Sequence, residues 1–152
     1  MSLDLNEQYD KIYRYCYIRV NNRDTAEDLT QETFLRYLEH PKYHSIDKTL
    51  NLLYTIAGNL CTDYFRSHKT DELPEDMQSD ENIENTVLDN YTLSQALKSL
   101  PSEDREIILL RYINDVPLGV IADIYRVSRF ALNRRIRKIL SELRSFMGKE
   151  EL

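Results

Sequence analysis

Apolar residues recur at helical spacing through the first half of the chain. They form three stripes in which neighbours are three or four positions apart, which is the spacing of one face of an α-helix. The stripes are Tyr9, Ile12, Tyr13, Cys16 and Val20; Ala26, Leu29, Thr33 and Tyr37; and Leu53, Ile56, Ala57, Leu60 and Tyr64. Asp24 is predicted to cap the second helix, with Glu27 three residues later, and Pro41 to end it. The pattern predicts three amphipathic helices, the third over about residues 50–69.

The same spacing returns near residue 87, where it is divided among shorter segments. Six apolar positions indicate a first short helix: Val87, Tyr91, Leu93, Ala96, Leu97 and Leu100. Ser102 is predicted to cap the next helix, and Pro117 suits the first position of another. A turn at residues 126–127 follows, and Ser128 is predicted to cap the last helix. A short helix, a tight turn and a second helix are the elements of a helix-turn-helix.

The segment between these two halves is acidic. No Lys or Arg occurs between residues 71 and 89, apolar residues are few, and Pro74 interrupts the segment. Such a segment buries too little apolar surface to fold, so residues 71–86 are predicted to be a flexible linker. The sequence therefore predicts an all-α fold of two small helical domains, residues 1–70 and 87–152, joined by this acidic linker. The C-terminal domain contains the helix-turn-helix.

Charge is distributed unevenly along the chain. The formal net charge is −6 and the pI is about 5.1, yet Glu142 is the only carboxylate between Arg126 and Lys149. A local basic face binds phosphates even in an acidic protein, so nucleic acid stays open as a partner. No apolar run approaches the roughly 20 residues that span a bilayer, and the N-terminus lacks the features of a secretory signal. These features predict a cytoplasmic location without membrane insertion.

The cysteines and histidines show no metal-ligand spacing. Cys16 and Cys61 lie inside apolar segments and are interpreted as buried thiols rather than as a disulfide or a metal pair. His40, His44 and His68 share no helical face with a cysteine or carboxylate. The sequence therefore predicts no metal and no cofactor.

The last predicted helix has two contrasting faces. Its inward stripe is Leu132, Ile136, Ile139 and Leu143, whereas Phe130, Arg134, Arg137 and Lys138 face outward with Arg129 and Asn133 at the flank. In a recognition helix, early residues contact base edges and basic residues contact phosphates. Arginine pairs with guanine, asparagine with adenine, and an apolar side chain such as Phe130 contacts a thymine methyl. The alternative is a solvated amphipathic helix, but the preceding short helix and the Ser128 cap favour DNA binding.

Two more polar faces lie on the second and third predicted helices. The first, Asp28, Gln31, Glu32 and Leu35, is either an ordinary wet surface or a docking face for a basic partner helix. The second comprises Asn59, Thr62, Asp63 and Arg66, with Tyr43 and His44 in the loop before it. Aromatic and polar groups beside a cationic helix suit unstacked bases. Alternatively, Asp63 and Arg66 form an i, i+3 ion pair worth a few tenths of a kcal/mol.

Three segments precede the helix-turn-helix in a fixed order. They are AEDLTQETFLRYL from Ala26 to Leu38, LYTIAGNLCTDYFR from Leu53 to Arg66, and LPSEDREIILLRY from Leu100 to Tyr112. Together they resemble the bacterial sigma-70 family of RNA polymerase sigma factors, specifically its extracytoplasmic-function group. The resemblance covers nearly the whole chain. It implies a transcription initiation factor that binds core RNA polymerase, at the β′ clamp helices and the β subunit, and promoter DNA as duplex and as single strand.

The resemblance also implies a role for each face. Polymerase contacts are expected at Asp28, Gln31, Glu32 and Leu35. Recognition and melting of the minus-10 element are expected from Tyr43, His44, Asn59, Thr62 and Arg66. Recognition of the minus-35 element is expected from Ser128, Arg129, Phe130, Asn133, Arg134, Arg137 and Lys138. No residue is expected to be catalytic, since the polymerase does the chemistry, and an anti-sigma factor is expected as a further partner.

The chain departs from the family pattern at three positions. No Trp stands near Leu52, Gly58 stands where a basic residue is common, and Arg126 occupies a turn where glycine is frequent. These departures imply a divergent member with an unusual promoter.

Two other classes of function stay open on the residues alone. A helix-turn-helix transcription regulator would bind duplex DNA without core polymerase and use its N-terminal half for dimerisation. An enzyme with paired carboxylates would need them to face inward, whereas Asp28 and Glu32 are predicted to face outward.

Overall fold

The computed structural model describes residues 4–39, 46–68 and 91–151. Within these ranges the regular structure is helical and includes no strand, which confirms the predicted all-α class. The helices are α1 (Leu5–Val20), α2 (Arg23–Leu38), α3 (Ile46–Ser67), α4 (Tyr91–Lys98), α5 (Ser102–Ile108), α6 (Leu118–Tyr125) and α7 (Arg129–Glu151), and a π-helical turn, Leu109–Ile113, directly follows α5. In this part of the chain no helix is both long and apolar enough to cross a membrane.

The chain divides into two compact units, Met1–Glu81 and Asn82–Leu152. Three of the helices belong to the first unit and the other four to the second. The predicted domain limits at residues 70 and 87 and the acidic linker, residues 71–86, fall outside the described ranges. Those limits therefore stay a prediction.

In the first unit, α1, α2 and α3 pack against one another pairwise. The apolar core consists of Ile12, Tyr15, Cys16, Tyr17, Ala26, Leu50, Leu53, Tyr54, Ile56, Ala57, Leu60 and Cys61. The rings of Tyr15 and Tyr54 meet edge to face with centroids 5.3 Å apart, a favourable geometry for two buried aromatic side chains. The predicted stripe of α3 is buried except for the half-buried Tyr64.

Cys16 and Cys61 are buried free thiols, which confirms their interpretation. A hydrogen bond with Cys61 and burial both raise the pKa of the Cys16 thiol, so it stays protonated and unreactive at neutral pH. Among the described residues, no group of three or more His, Cys, Asp or Glu side chains is placed to hold a metal ion.

The corner between α1 and α2 depends on two asparagines. Asn21 adopts a left-handed conformation with φ 57°, and its N–H donates to the Tyr17 carbonyl at 2.7 Å. The side chain of Asn22 accepts a hydrogen bond from the Thr25 N–H at 2.9 Å and so caps α2. The prediction of an Asp24 cap is wrong, because the N-cap is Asn22, two residues earlier, and Asp24 lies in the first turn of α2. There its negative charge still interacts favourably with the positive end of the helix dipole.

Two buried threonines face the core from α2. The Thr30 hydroxyl donates to the Ala26 carbonyl and the Thr33 hydroxyl to the Leu29 carbonyl, each at 2.7 Å. Both residues have no measurable exposure. The internal hydrogen bonds remove the cost of burying an unpaired hydroxyl, so these positions serve as core.

In the second unit, α7 packs against α4, α5 and α6. The apolar core consists of Ala96, Leu100, Ile107, Ile108, Leu109, Leu110, Val116, Val120, Ile121, Ala122, Leu132, Ile136, Ile139 and Leu143. The inward stripe predicted for the last helix is therefore buried in full.

The π-helical turn changes which residues of its segment face inward. The Asn114 N–H donates to the Leu109 carbonyl at 2.8 Å, which widens the turn by one residue. Four consecutive residues, Ile107 to Leu110, are buried as a result, whereas Tyr112 is 52% exposed.

The first turns of α5 and α6 lack side-chain caps. Pro101 stands at the N-cap of α5 and Ser102 is its first helical residue, so the predicted Ser102 cap is wrong. Glu103 and Asp104 lie in that first turn, where their negative charges interact favourably with the positive end of the helix dipole. Pro117 likewise precedes α6 rather than starting it.

Candidate functional site

The helix-turn-helix consists of α6, a turn and α7. Arg126 reverses the chain in a left-handed conformation with φ 58°, and the Val127 N–H donates to the Ala122 carbonyl at 3.0 Å. A non-glycine residue loses roughly 1–2 kcal/mol in this conformation. The turn nevertheless keeps its predicted place, and the Ser128 Oγ accepts a hydrogen bond from the Ala131 N–H at 3.0 Å. This bond confirms the predicted cap of α7.

The outward face of α7 is exposed at each position named from the sequence, namely Arg129, Phe130, Asn133, Arg134, Arg137 and Lys138. Phe130 is 73% exposed. The Arg134 guanidinium lies over its ring, with Cζ 5.1 Å from the centroid. A cation–π pair on a solvent face combines an apolar contact with a hydrogen-bond donor, which complement the thymine methyl and the acceptor atoms of base edges.

The Arg129 side chain lies against α6. A Cβ built on Gly119, the second residue of α6, would lie 2.6 Å from Nη2 of Arg129, 3.0 Å from its Nε and 3.1 Å from its Cζ. The guanidinium therefore occupies the space that a methyl group at position 119 would need.

Arg135 ties α7 to the first turn of α5. Its Nη2 lies 2.7 Å from Asp104 Oδ1 and 2.9 Å from Glu103 Oε1, and its Nε donates to Asp104 at 3.0 Å. Burial lowers the pKa of the Arg135 guanidinium, but hydrogen bonds and charges from the two carboxylates outweigh burial and raise it. These contacts hold α7 to the rest of its unit. Sequence reasoning did not identify Arg135, because its partners are 31 and 32 residues away.

The polar face of α2 carries exposed leucines beside its acidic residues. Asp28 and Gln31 are exposed and Glu32 is half-buried. Leu35 is 59% exposed, and Leu38, three residues later, is 54% exposed. Leu38 was not among the predicted contacts, although its spacing from Leu35 places it on a neighbouring part of the same surface.

Neighbouring side chains hold the polar residues of this face. Glu32 Oε2 accepts a hydrogen bond from Arg36 Nε at 2.9 Å. The carboxylate of Glu27 accepts hydrogen bonds from the Tyr9 hydroxyl at 2.9 Å and from Gln31 Nε2 at 3.2 Å. Burial raises the pKa of Tyr9, and the hydrogen bond and charge of Glu27 raise it further.

The outer face of α3 brings together three of the five predicted minus-10 residues. Asn59 and Arg66 are exposed and Thr62 is half-buried. Arg66 Nη1 lies 3.3 Å from Asp63 Oδ1, so the ion pair considered as an alternative is present. Both side chains are mostly exposed, and such a pair contributes little to stability. Tyr43 and His44 lie outside the described residues.

Arg19 of α1 reaches the same face of α3. Its Nη2 donates to the Thr62 hydroxyl at 3.3 Å, and its Nη1 donates to the Gly58 carbonyl at 3.4 Å and the Tyr15 hydroxyl at 3.2 Å. A Cβ at Gly58 would lie 3.1 Å from the Tyr15 oxygen and 3.6 Å from Arg19 Nη1. Side chains from α1 therefore fill the space beside Gly58, and a cation stands there despite the glycine. No sequence signal pointed to Arg19, which lies 43 residues from Thr62.

The fold defines an all-α protein of two units with a helix-turn-helix in the second. Residues 5–70 match the family description Sigma-70 region 2, and residues 96–145 match Sigma-70, region 4. The chain is 35% identical over 131 residues to the ECF RNA polymerase sigma factor BldN of Streptomyces coelicolor, covering 78% of this chain and 49% of BldN. It is 30% identical over 159 residues to the ECF RNA polymerase sigma factor SigW of Bacillus subtilis, covering 89% of this chain and 82% of SigW. The chain belongs to the sigma-70 family, in its extracytoplasmic-function group.

A solved structure has the same fold. It is the sigma factor RpoE from Bartonella quintana, crystallised in complex with the anti-sigma factor NepR, with a TM-score of 0.60, 16% identity and coverage of 92% of this chain and 91% of that one. At this identity the likeness concerns the fold alone. The chain spans about half the length of BldN and most of the length of SigW.

Proposed function

We propose that this chain is a transcription initiation factor that binds core RNA polymerase and directs it to specific promoters. The observation that carries the proposal is the order of the two matched regions, region 2 before region 4, along most of the chain. The chain forms and breaks no covalent bonds itself, because the polymerase does the chemistry. The proposed domains are residues 1–70 for polymerase docking and the minus-10 element, residues 71–86 as linker, and residues 87–152 for the minus-35 element.

The polymerase contacts are assigned to the face of α2 formed by Asp28, Gln31, Glu32 and Leu35. The exposure of Leu35 supports this assignment, because a solvent-exposed leucine gains free energy when a partner helix covers it. The acidic side chains around Leu35 suit the polar rim of such a contact, where they would face basic side chains of the partner. The partner proposed is the pair of β′ clamp helices, with the β subunit contacted elsewhere.

The minus-10 contacts are assigned to Tyr43, His44, Asn59, Thr62 and Arg66. Unstacking a base costs a few kcal/mol, and stacking of an exposed base on an aromatic side chain returns about 1–3 kcal/mol. Capture of flipped bases therefore offsets opening without ATP. The Arg19 cation beside Thr62 adds a favourable interaction with the single strand.

The minus-35 contacts are assigned to α7 and its cap: Ser128, Arg129, Phe130, Asn133, Arg134, Arg137 and Lys138. Their exposure on one face of a helix supports a place in the major groove. The Ser128 hydroxyl also caps α7 and so fixes the first turn of the helix. Phe130 and Arg134 are proposed to contact base edges as a stacked pair.

A regulatory partner is also proposed. The fold is shared with a sigma factor crystallised in complex with an anti-sigma factor, and we infer a partner of that kind for this chain, acting in the cytoplasm. Affinity purification from the native host tests this, and recovery of polymerase subunits without an inhibitor would remove the anti-sigma assignment.

The decisive experiment is run-off transcription with purified core polymerase on a promoter library, accompanied by polymerase pull-downs. Arg134→Ala should weaken promoter binding and leave polymerase binding unchanged, whereas Asp28→Lys with Gln31→Ala should weaken polymerase binding and, as a consequence, transcription. Arg144→Ala is the matched control, because Arg144 is an exposed arginine further along α7. DNA binding without any polymerase binding would favour the transcription-regulator alternative, and equal loss of both activities in Arg134→Ala would contradict the division between the two domains.

A further inference from the structure

Gly119 occupies a position in α6 where local structure does not require glycine. It lies in the first turn of α6, and no glycine among the described residues has a positive φ. Glycine is a poor helix former, so alanine would be the better residue on local grounds. Its surroundings offer a reason for glycine at this position.

The surroundings are the Arg129 guanidinium. Three of its atoms, Nη2, Nε and Cζ, would lie 2.6 Å, 3.0 Å and 3.1 Å from a Cβ at position 119. The guanidinium therefore lies beside Gly119 of α6, although it belongs to the first residue of α7. Even so, Arg129 is exposed, so the group is laid on protein and is also open to solvent.

This placement separates Arg129 from the other cations of the face. The Arg134 guanidinium lies over the Phe130 ring on α7 itself, whereas the Arg129 guanidinium spans the two helices of the motif. The first helix of a helix-turn-helix crosses the DNA backbone, so a guanidinium that lies against α6 lies on the phosphate side of the motif. Phosphates flank the groove and are contacted by cations at the edges of the motif.

We propose that Gly119 is a positioning residue for DNA binding, which lets the Arg129 guanidinium lie against α6 and bind a backbone phosphate of the minus-35 duplex rather than a base. This rests on the proposed function, because it takes the second unit to bind the minus-35 duplex. The chemistry recognised is a phosphodiester anion, so the contribution is independent of base sequence.

The test compares four full-length proteins in holoenzyme with core polymerase: wild type, Gly119→Ala, Arg129→Ala and the double variant. The probes are a promoter duplex from the transcription library and an unrelated duplex of equal length, titrated over about 50–300 mM salt. Gly119→Ala should weaken binding to both duplexes by the same factor, roughly eightfold at about 0.1 M salt, and reduce the salt slope by about one. The double variant should bind like Arg129→Ala, because the methyl group acts only through the guanidinium.

Stability separates positioning from a structural role. The guanidinium is the far end of a flexible side chain and can move away, so Gly119→Ala should keep or raise the melting temperature while DNA affinity falls. Gly148→Ala is the matched control, because a Cβ there meets nothing within 4 Å. Gly148→Ala should keep or raise the melting temperature, because alanine is the better helix former, and should leave the affinity for DNA unchanged.

Three results would overturn the inference. They are unchanged duplex binding by Gly119→Ala, additive losses in the double variant, or a loss confined to the promoter duplex, which would indicate base contact by Arg129. In each of these cases the proposed function still holds if the wild-type holoenzyme binds and opens promoters. Wild-type protein that supports no promoter binding by core polymerase would remove both.

Discussion

Truncation of Leu35 to alanine should weaken polymerase binding without weakening the fold. Leu35 is 59% exposed on α2 and lies beside Asp28 and Gln31 in the proposed docking face. Because most of the side chain already contacts water, its removal creates no cavity. Exposed substitutions away from special contacts change stability by less than about 0.5 kcal/mol, and alanine is a strong helix former.

The size of the binding effect follows from the exposed fraction. Fully burying a leucine side chain gains about 1.5–3 kcal/mol. With 59% of Leu35 still exposed in the free protein, docking has about 1 to 2 kcal/mol left to gain. At about 1.4 kcal/mol per factor of ten, Leu35→Ala should raise the Kd for core polymerase by roughly 5- to 30-fold.

The assay is a fluorescence titration of labelled protein with core polymerase, paired with thermal unfolding followed by circular dichroism. Leu5→Ala is the matched control, because Leu5 is 41% exposed at the start of α1, outside the docking face. Leu53→Ala is the destabilised reference, since Leu53 is fully buried and its truncation should cost about 2–5 kcal/mol. A Leu35→Ala protein with the wild-type Kd, or with a Kd shift no larger than that of Leu5→Ala, would refute the docking assignment.

The sequence correctly predicted those features of the fold that depend on residues of a single helix. On α7, large aliphatic residues at helical spacing define the inner face, and Ser128 provides a local cap, so both predictions are confirmed. The exposed positions of α7 follow from the same pattern, because burial of one face of a helix leaves the opposite face in water. Their contacts with DNA are a separate matter and stay predictions.

The sequence-based predictions differ from the structure where two residues suit the same cap, or where the helical spacing of buried positions is interrupted. Asn22 and Asp24 are both good N-cap residues, and the left-handed Asn21 selects the earlier one. Thr30 is absent from the predicted stripe of the second helix, yet it is buried, because its hydroxyl bonds within the helix. The π-helical turn, Leu109–Ile113, adds a residue to the repeat, which a constant spacing of 3.6 does not describe.

The missed residues of the candidate site act through long-range contacts. Arg19, Gly119 and Arg135 each lie in a segment whose local pattern indicates only an ordinary helix surface. Their roles come from partners on other helices: Thr62 for Arg19, Arg129 for Gly119, and the first turn of α5 for Arg135. Pairings of this kind are set by packing, so one sequence without a structure does not reveal them.

The remaining predictions concern the polar contacts that hold each unit together. Burial and the carboxylate of Glu27 raise the pKa of Tyr9 in the folded state. The stability that the protonated Tyr9 contributes is therefore present below its ordinary pKa of 10.0 and is lost as pH rises through the raised value. Tyr9→Phe should therefore flatten the fall in melting temperature at alkaline pH, and an unchanged profile would contradict this linkage. In the second unit, Asp104→Asn should cost about 1–2 kcal/mol and Glu103→Gln less than about 0.5 kcal/mol. Asp104 accepts two hydrogen bonds from Arg135 and its side chain is 13% exposed, whereas Glu103 accepts one and is 54% exposed. Hydrogen exchange resolved by mass spectrometry should show faster exchange of α5 and of the first half of α7 in Asp104→Asn, with the first unit unchanged; equal effects of the two substitutions would mean that burial does not determine the strength of this contact.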